Sequence, residues 1–229
     1  MKMGLPIAIL VAFLVIMVAL WVADKGDHSP MTVELKVTAE DAIQTLDFKN
    51  DLDPENTLVL ELSTGGTVVI EMLPDLAPNH VARFKQLARS GFYDGIVFHR
   101  VIDGFMAQTG DPTGTGSGGS GQNIKAEFST EKHRRGIVST ARSSNPDSAD
   151  SQFFIMFDDA PNLDEEYTVW GRVVQGMEYV DSIQKGSRAN NGVVATSERD
   201  MILRAIVVAD LMAETVAEGN TEESAEGEQ

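Results

Sequence analysis

Short strand-like runs punctuated by turn residues recur from Thr57 to Leu211, and they restrict this 229-residue chain to a mainly β fold. The run TLVLELSTGGTVVIEM alternates apolar and polar residues on both sides of Thr64-Gly65-Gly66, the pattern of a hairpin. The period then changes in PDLAPNHVARFKQLARSGFYDG. Val81, Phe84, Leu87 and Ala88 recur on one helical face, and Gly91 closes the helix. FHRVIDGFMAQTGDP supplies a pair of strands, and a glycine-rich loop, GDPTGTGSGGSGQN, follows. GIVSTAR, SQFFIMF, YTVWGRVV and MILRAIVVADL read as further strands. A second helix is expected in GMEYVDSIQKG, with Met177, Val180 and either Ser182 or Ile183 on one face. Many short strands and few helices predict a closed antiparallel β barrel capped by two helices, over residues 55–212. An alternating βαβ array does not fit, and no internal repeat is visible.

The segments outside that domain have a different character. Leu5 to Ala23 (LPIAILVAFLVIMVALWVA) contains no charge and is about long enough to cross a bilayer core of roughly 30 Å. Trp21 at the −3 position makes Trp21-Val22-Ala23 a poor cleavage site, so an uncleaved anchor is expected and a cleaved signal is the alternative. Lys2 favours residues 1–4 staying in the cytoplasm, with the rest of the chain outside. Residues 24–54 read as a tether with room for a short strand in TVELKV and a short helix around Glu40 to Phe48. Residues 213–229 carry six Glu, no Lys or Arg and no aromatic residue, which predicts a solvated disordered tail.

Charge and cysteine usage exclude several functions. The net charge is −17 and the one short basic cluster is Lys132-His133-Arg134-Arg135, which argues against nucleic acid and anionic surfaces as partners. The chain has no cysteine, so disulfides, a cysteine nucleophile and thiolate metal sites are excluded. His28, His80, His99 and His133 have no metal-ligand spacing. His99 alternates with Arg100 and is expected as a hydrogen-bonded wall histidine. Gly114 to Gly119 satisfies G-x-G-x-x-G, but a Gly-Asp-Pro turn precedes it and no helix follows, so a flexible loop beside a groove is the better reading. No serine sits in a G-x-S-x-G elbow, and Asp158-Asp159 and Asp164-Glu165-Glu166 read as solvated loop acids.

Arg100 is the outlier, a charged residue inside an apolar strand pair. Either it points to solvent or it lines a cleft. Met106 and Gln108 share one face of the next strand, and Phe105 joins them if Gly104 bends the chain. Ser151-Gln152-Phe153-Phe154-Ile155 adds another glutamine and two aromatic rings. One surface with an arginine, two glutamines and several Phe and Met side chains has the form of a ligand site.

FHRVIDGFMAQTGDPTGTGSGG, GIVSTARSSNPDSADSQFFIMF and NLDEEYTVWGRVVQGMEYVD closely resemble the cyclophilin-type peptidyl-prolyl cis-trans isomerases, in particular their bacterial branch. The resemblance runs from about Thr57 to Leu211. It implies an eight-stranded barrel and an enzyme that accelerates X-Pro rotation in proline-containing polypeptides, with no metal and no cofactor. It implies Arg100, Phe105 and Gln108 as the catalytic set. Met106, Phe154 and Leu163 would complete a proline pocket with Phe105, and Gln152, Gly116, Ala141, Arg142 and Tyr167 would line the groove. Asn162 stands where the family often has an aromatic residue linked to cyclosporin binding, which leaves that sensitivity open. Arg142 replaces the asparagine of many eukaryotic members. With the anchor, the expectation is a monomeric isomerase held at the inner membrane, facing the periplasm and assisting exported proteins. A proline-binding chaperone with little turnover is the alternative.

Overall fold

The computed structural model describes Thr38, Ala39 and residues 52–213. The expected anchor at 5–23, most of the tether and all but the first residue of the acidic tail lie outside the described residues. Among the described residues no helix is long and apolar enough to cross a membrane.

Eight strands form one antiparallel sheet. They are β1 (Thr57–Leu62), β2 (Thr67–Met72), β3 (Arg100–Ile102), β4 (Met106–Thr109), β5 (Ile137–Thr140), β6 (Phe153–Met156), β7 (Val169–Gln175) and β8 (Ile202–Val207), in the order β3-β4-β6-β5-β7-β2-β1-β8. The expected hairpin is β1–β2, paired Thr57↔Glu71 through Glu61↔Thr67. Gly65 takes φ 95° in its turn, a conformation that side chains with a Cβ resist. The helix α1 spans Pro78–Arg89 and α2 spans Met177–Asp181.

Val81, Phe84, Leu87 and Ala88 of α1 are buried in the main core, as their spacing predicts. Phe84 stacks on Trp170 with ring centroids 4.1 Å apart and meets Phe153 edge-on at 5.7 Å. In α2 Val180 is buried, and Ile183, not Ser182, continues its buried face.

The sheet is not a closed barrel. It curls into an open half-barrel, because β3 and β8 end the strand order and share no ladder. One isolated bridge, Val97↔Met201, with backbone bonds from Gly95 N to Ile202 O and from Ile202 N to Ile96 O, ties the chain ahead of β3 to the start of β8. The reason lies at the outer edge of β3, whose hydrogen bonds are taken by a loop. Val101 N donates to Gly192 O, Gly186 N to Val101 O and Val194 N to His99 O, at 2.7, 2.9 and 3.1 Å. That approach is so close that a Cβ on Gly192 would lie 2.3 Å from an Ile102 side-chain carbon. With its edge occupied, β3 has nothing left to offer β8.

Two further features depart from the sequence reading. Residues 208–213 are helical, whereas the run MILRAIVVADL reads as strand through Leu211. They lie over the outer face of the β1–β2–β8 region, where Val59, Val69, Ile206, Val208 and Leu211 form a second apolar cluster. Ala39, inside the supposed tether, is fully buried in that cluster, and its N–H donates to the Glu61 carboxylate at 3.0 Å. Domain packing therefore begins before residue 55.

Candidate active site

Period-2 alternation assigns β3, β4 and β6 two separate jobs. Val101, Ala107 and Ile155 pair across the sheet and point into the main core. Arg100, Gln108 and Phe154 pair across the same three strands and stand on the opposite face. Ile102, Met106 and Met156 form the next row on that face. Gly104 at φ 70° bends the β3–β4 turn, and Phe105 packs against the cluster that includes Met106. That cluster also contains Phe154 and Leu163, with Ala141 and Tyr167 packed on it. The pocket residues named from the sequence are thus brought together.

The polar residues form one chain of hydrogen bonds beside the apolar patch. Arg100 Nη1 donates to Gln108 Oε1 at 3.1 Å. Gln108 Nε2 donates to Gln152 Oε1 at 2.9 Å, and Gln152 Nε2 donates to the carbonyls of Gly118 and Gly116 at 2.8 and 3.1 Å. Each glutamine orientation is fixed by the next partner along. Tyr167 meets Phe154 edge-on at 5.8 Å, and the Arg142 guanidinium lies 4.6 Å from the Tyr167 ring centre. Arg142 also donates to the Glu166 carbonyl at 2.9 and 3.1 Å, so it braces the rim.

Sequence reasoning missed Asn191. Arg100 Nε donates to the Asn191 carbonyl at 3.0 Å, and Nη2 donates to its side-chain Oδ1 at 3.1 Å. Asn191 holds φ 51°, unusual for a residue with a Cβ. The local signal was Asn190-Asn191-Gly192, a turn sequence, but nothing in it points to a partner 91 residues away. Among the described residues the hydrogen-bond partners of Arg100 are neutral: two side-chain amide oxygens, one main-chain carbonyl and, at 4.0 Å, the Met106 sulfur. Burial lowers the Arg100 pKa from its ordinary value, yet a guanidinium stays cationic at neutral pH. A half-buried cation therefore stands beside an apolar cluster, with no carboxylate partner among the described residues.

The glycine-rich loop is no phosphate cradle. The Asp111 carboxylate, fully buried, already accepts from the N–H groups of Thr113, Thr115, Gly116 and Gly118 at 2.6 to 3.1 Å. His99 is buried; its ring makes no hydrogen bond of good geometry among the described residues, and the Val97 carbonyl is the backbone group that acts on it.

One constellation imitates another chemistry. Ser139 Oγ lies 2.9 Å from His133 Nε2, and His133 Nδ1 lies 3.2 Å from Asp164 Oδ1. Ser139 and His133 are 0% and 1% exposed, so no acyl group could reach the hydroxyl. The three residues lie behind the pocket, with the His133 ring 6.4 Å from Phe154. Asp164 is thus a structural partner rather than a solvated loop acid. Among the described residues no group of His, Asp and Glu could hold a metal ion.

Comparison with known proteins points the same way. The family model of the cyclophilin type peptidyl-prolyl cis-trans isomerases matches residues 57–207. A probable peptidyl-prolyl cis-trans isomerase of Brucella suis biovar 1 (strain 1330) is 53% identical over 170 residues, covering 69% of this chain and 85% of that one. Peptidyl-prolyl cis-trans isomerase B of Bacillus subtilis (strain 168) is 42% identical over 127 residues, covering 55% and 88%. A cyclophilin structure from Hirschia baltica superposes with TM-score 0.62 at 28% identity, covering 76% and 81%. A Cryptosporidium parvum cyclophilin type isomerase, solved in the presence of the dipeptide Ala-Pro, gives TM-score 0.59 at 29% identity, covering 66% and 98%. An arginine beside an apolar cluster on a curled eight-stranded sheet, and relatives this similar over most of the domain, place the chain among the cyclophilin-type peptidyl-prolyl cis-trans isomerases.

Proposed function

We propose that Arg100 is the electrophile of this isomerase and that the apolar cluster of Phe105, Met106, Phe154 and Leu163 grips the proline ring. The observation that carries this is the Arg100 guanidinium, held at 3.0 to 3.1 Å by neutral oxygens of Gln108 and Asn191 beside that cluster. Amide resonance sets a rotation barrier of about 18–20 kcal/mol for an X-Pro bond. Twisting the bond localises a lone pair on the proline nitrogen. A fixed guanidinium that donates to that nitrogen stabilises the twisted state more than either planar state, and that difference is the catalysis. Gln108 keeps one N–H for the substrate backbone, and Gln152, Gly116, Ala141, Arg142 and Tyr167 border its path. No proton transfer or covalent intermediate is required, so the chemistry needs no cofactor.

The test is cis-to-trans exchange of an Ala-Pro peptide, followed by NMR exchange spectroscopy with the full-length protein. Arg100→Ala should lower kcat/KM by about a hundredfold or more, the scale of losing a preorganised donor to developing charge. Arg100→Lys should rescue little, since it lacks the planar fork. Binding of the peptide with exchange left at its uncatalysed rate would instead make the protein a proline-binding chaperone.

The same reading places the domain outside the cytoplasmic membrane, held there by Leu5 to Ala23 and serving exported proteins. What supports it is the uncharged length of that run and the Trp at the −3 position. Mass spectrometry of the membrane fraction should find the N-terminal peptide still attached, and a mature N-terminus just after Ala23 would sink the anchor.

A further inference from the structure

A cavity of about 400 Å³ opens at the Arg100–Gln108 pair. It shares those two residues and Gly116 with the groove described above, but none of the apolar cluster. The rest of its wall comes from the Thr113–Gly116 loop, His99, Val193, Thr196 and Arg199. On a chain of net charge −17, this lining contains two arginines and a histidine, and no Asp or Glu.

Three observations define what would fit. His99 is only 4% exposed; neither ring nitrogen makes a hydrogen bond of good geometry among the described residues, but the Val97 carbonyl acts on the ring as a backbone partner. Burial keeps His99 below its ordinary pKa, so near neutral pH its imidazole offers one donor and one acceptor. Arg199 is fixed by its bonds from Nε to Val194 O at 3.0 Å and from Nη1 to Gly114 O at 2.9 Å. Those bonds use two of its five N–H groups and leave the others for a guest. The nearby acid, Asp111, is already saturated by the N–H groups of the loop.

We propose that this cavity takes the carboxylate of an Asp or Glu side chain within about three residues of the isomerised proline, with Arg199 as its receptor. The span follows from the shared wall: an extended chain advances about 3.3–3.6 Å per residue, so a peptide centred on Arg100 brings only near neighbours to the cavity. The assignment rests on the isomerase reading of Arg100 and adds a substrate preference to it.

The experiment uses the full-length protein in zwitterionic micelles and peptides of alanine around one central proline. A single Glu, Gln or Lys is placed in turn at each of the three positions on either side. kcat/KM is read by NMR exchange spectroscopy at low ionic strength. At one position Glu should exceed Gln by about tenfold, the scale of a charge-assisted pair, and Lys should fall below Gln. Roughly 1 M salt should shrink that ratio. Arg199→Gln should bring the Glu-to-Gln ratio close to one, while Arg199→Lys retains part of it. Each ratio is taken within one protein, so a general loss of activity cancels. Equal rates for Glu and Gln at every position, or a ratio untouched by Arg199→Gln, would overturn the assignment while leaving the isomerase intact. If no peptide is turned over, the isomerase reading fails by itself. The cavity is then judged by binding, and equal affinities for Glu and Gln peptides, with no shift of the His99 imidazole signals, overturn it.

Discussion

At the scale of single residues, the site depends on how firmly Arg100 is aimed. Two of its three contacts to oxygen come from Asn191, one through the main-chain carbonyl and one through the side chain. Glycine at this position keeps the carbonyl and accepts the φ of 51° without strain, so Asn191→Gly removes the Oδ1 contact alone. Its kcat/KM on an Ala-Pro peptide should drop roughly three- to tenfold, the worth of about one net hydrogen bond. Asn191→Ala should lose about the same activity and also about 1 kcal/mol of stability, because alanine resists the left-handed conformation. A glycine variant as active as the parent would show that Gln108 alone suffices to aim the guanidinium. Residues of this kind divide sharply in how visible they are beforehand. Arg100 and Gln108 stand out because a charged and a polar residue interrupt an apolar strand pair, and alternation puts both on one face. Asn191 stays hidden, since a turn asparagine looks the same whether or not an arginine lies over it.

At the scale of elements, α1 shows how a distant side chain completes a helix. Its N-cap residue, Ala77, provides no capping side chain. The Glu127 carboxylate takes that role from 47 and 48 residues away, accepting from the N–H groups of Asn79 and His80 at 3.1 and 3.0 Å. It also meets His80 Nδ1 at 2.6 Å, which fixes the donor on that nitrogen. A negative charge at a helix N-terminus is favourable on both hydrogen-bond and dipole grounds. Glu127→Gln keeps the shape but loses the charge, and should lower unfolding free energy by an amount on the order of 1–2 kcal/mol in urea titrations. An unchanged midpoint would mean that solvent serves the helix end equally well. The core-facing stripe of α1 and the β1–β2 hairpin are legible because each is a local period with a turn or stop signal. The helix cap, the open edge of the half-barrel and the burial of Ala39 are not. Each depends on a partner many residues away, and no local pattern records whether an edge such as that of β3 will be filled by a strand or by a loop.

At the scale of the whole molecule, three buried histidines and one buried aspartate link stability to pH. His80, His99 and His133 are 0%, 4% and 1% exposed, and burial is the leading cause that lowers each pKa from the ordinary 6.5. The folded chain therefore keeps all three neutral at a pH where the unfolded chain has begun to protonate them. Between 6.5 and the lowered folded values the unfolded state binds more protons, so stability falls as pH falls. Each such histidine contributes a slope of at most about 1.4 kcal/mol per pH unit within its own window. Asp111 acts lower down. Burial alone would raise its pKa, but the Thr113 hydroxyl and the N–H groups of Thr113, Gly118 and Gly116 outweigh it and hold the carboxyl far below its ordinary 3.8. Its contribution is complete above that ordinary value and is lost only as pH drops through the lowered one. Acid unfolding should thus proceed in two stages, a first decline beginning near pH 6.5 and a steeper one below about pH 4. Urea midpoints measured across that range should be level above neutrality and decline already between about pH 6.5 and 5. A midpoint that stays level until the carboxylates titrate would mean that the folded protein admits protons to these histidines as readily as the unfolded chain, and that their burial does not keep them neutral.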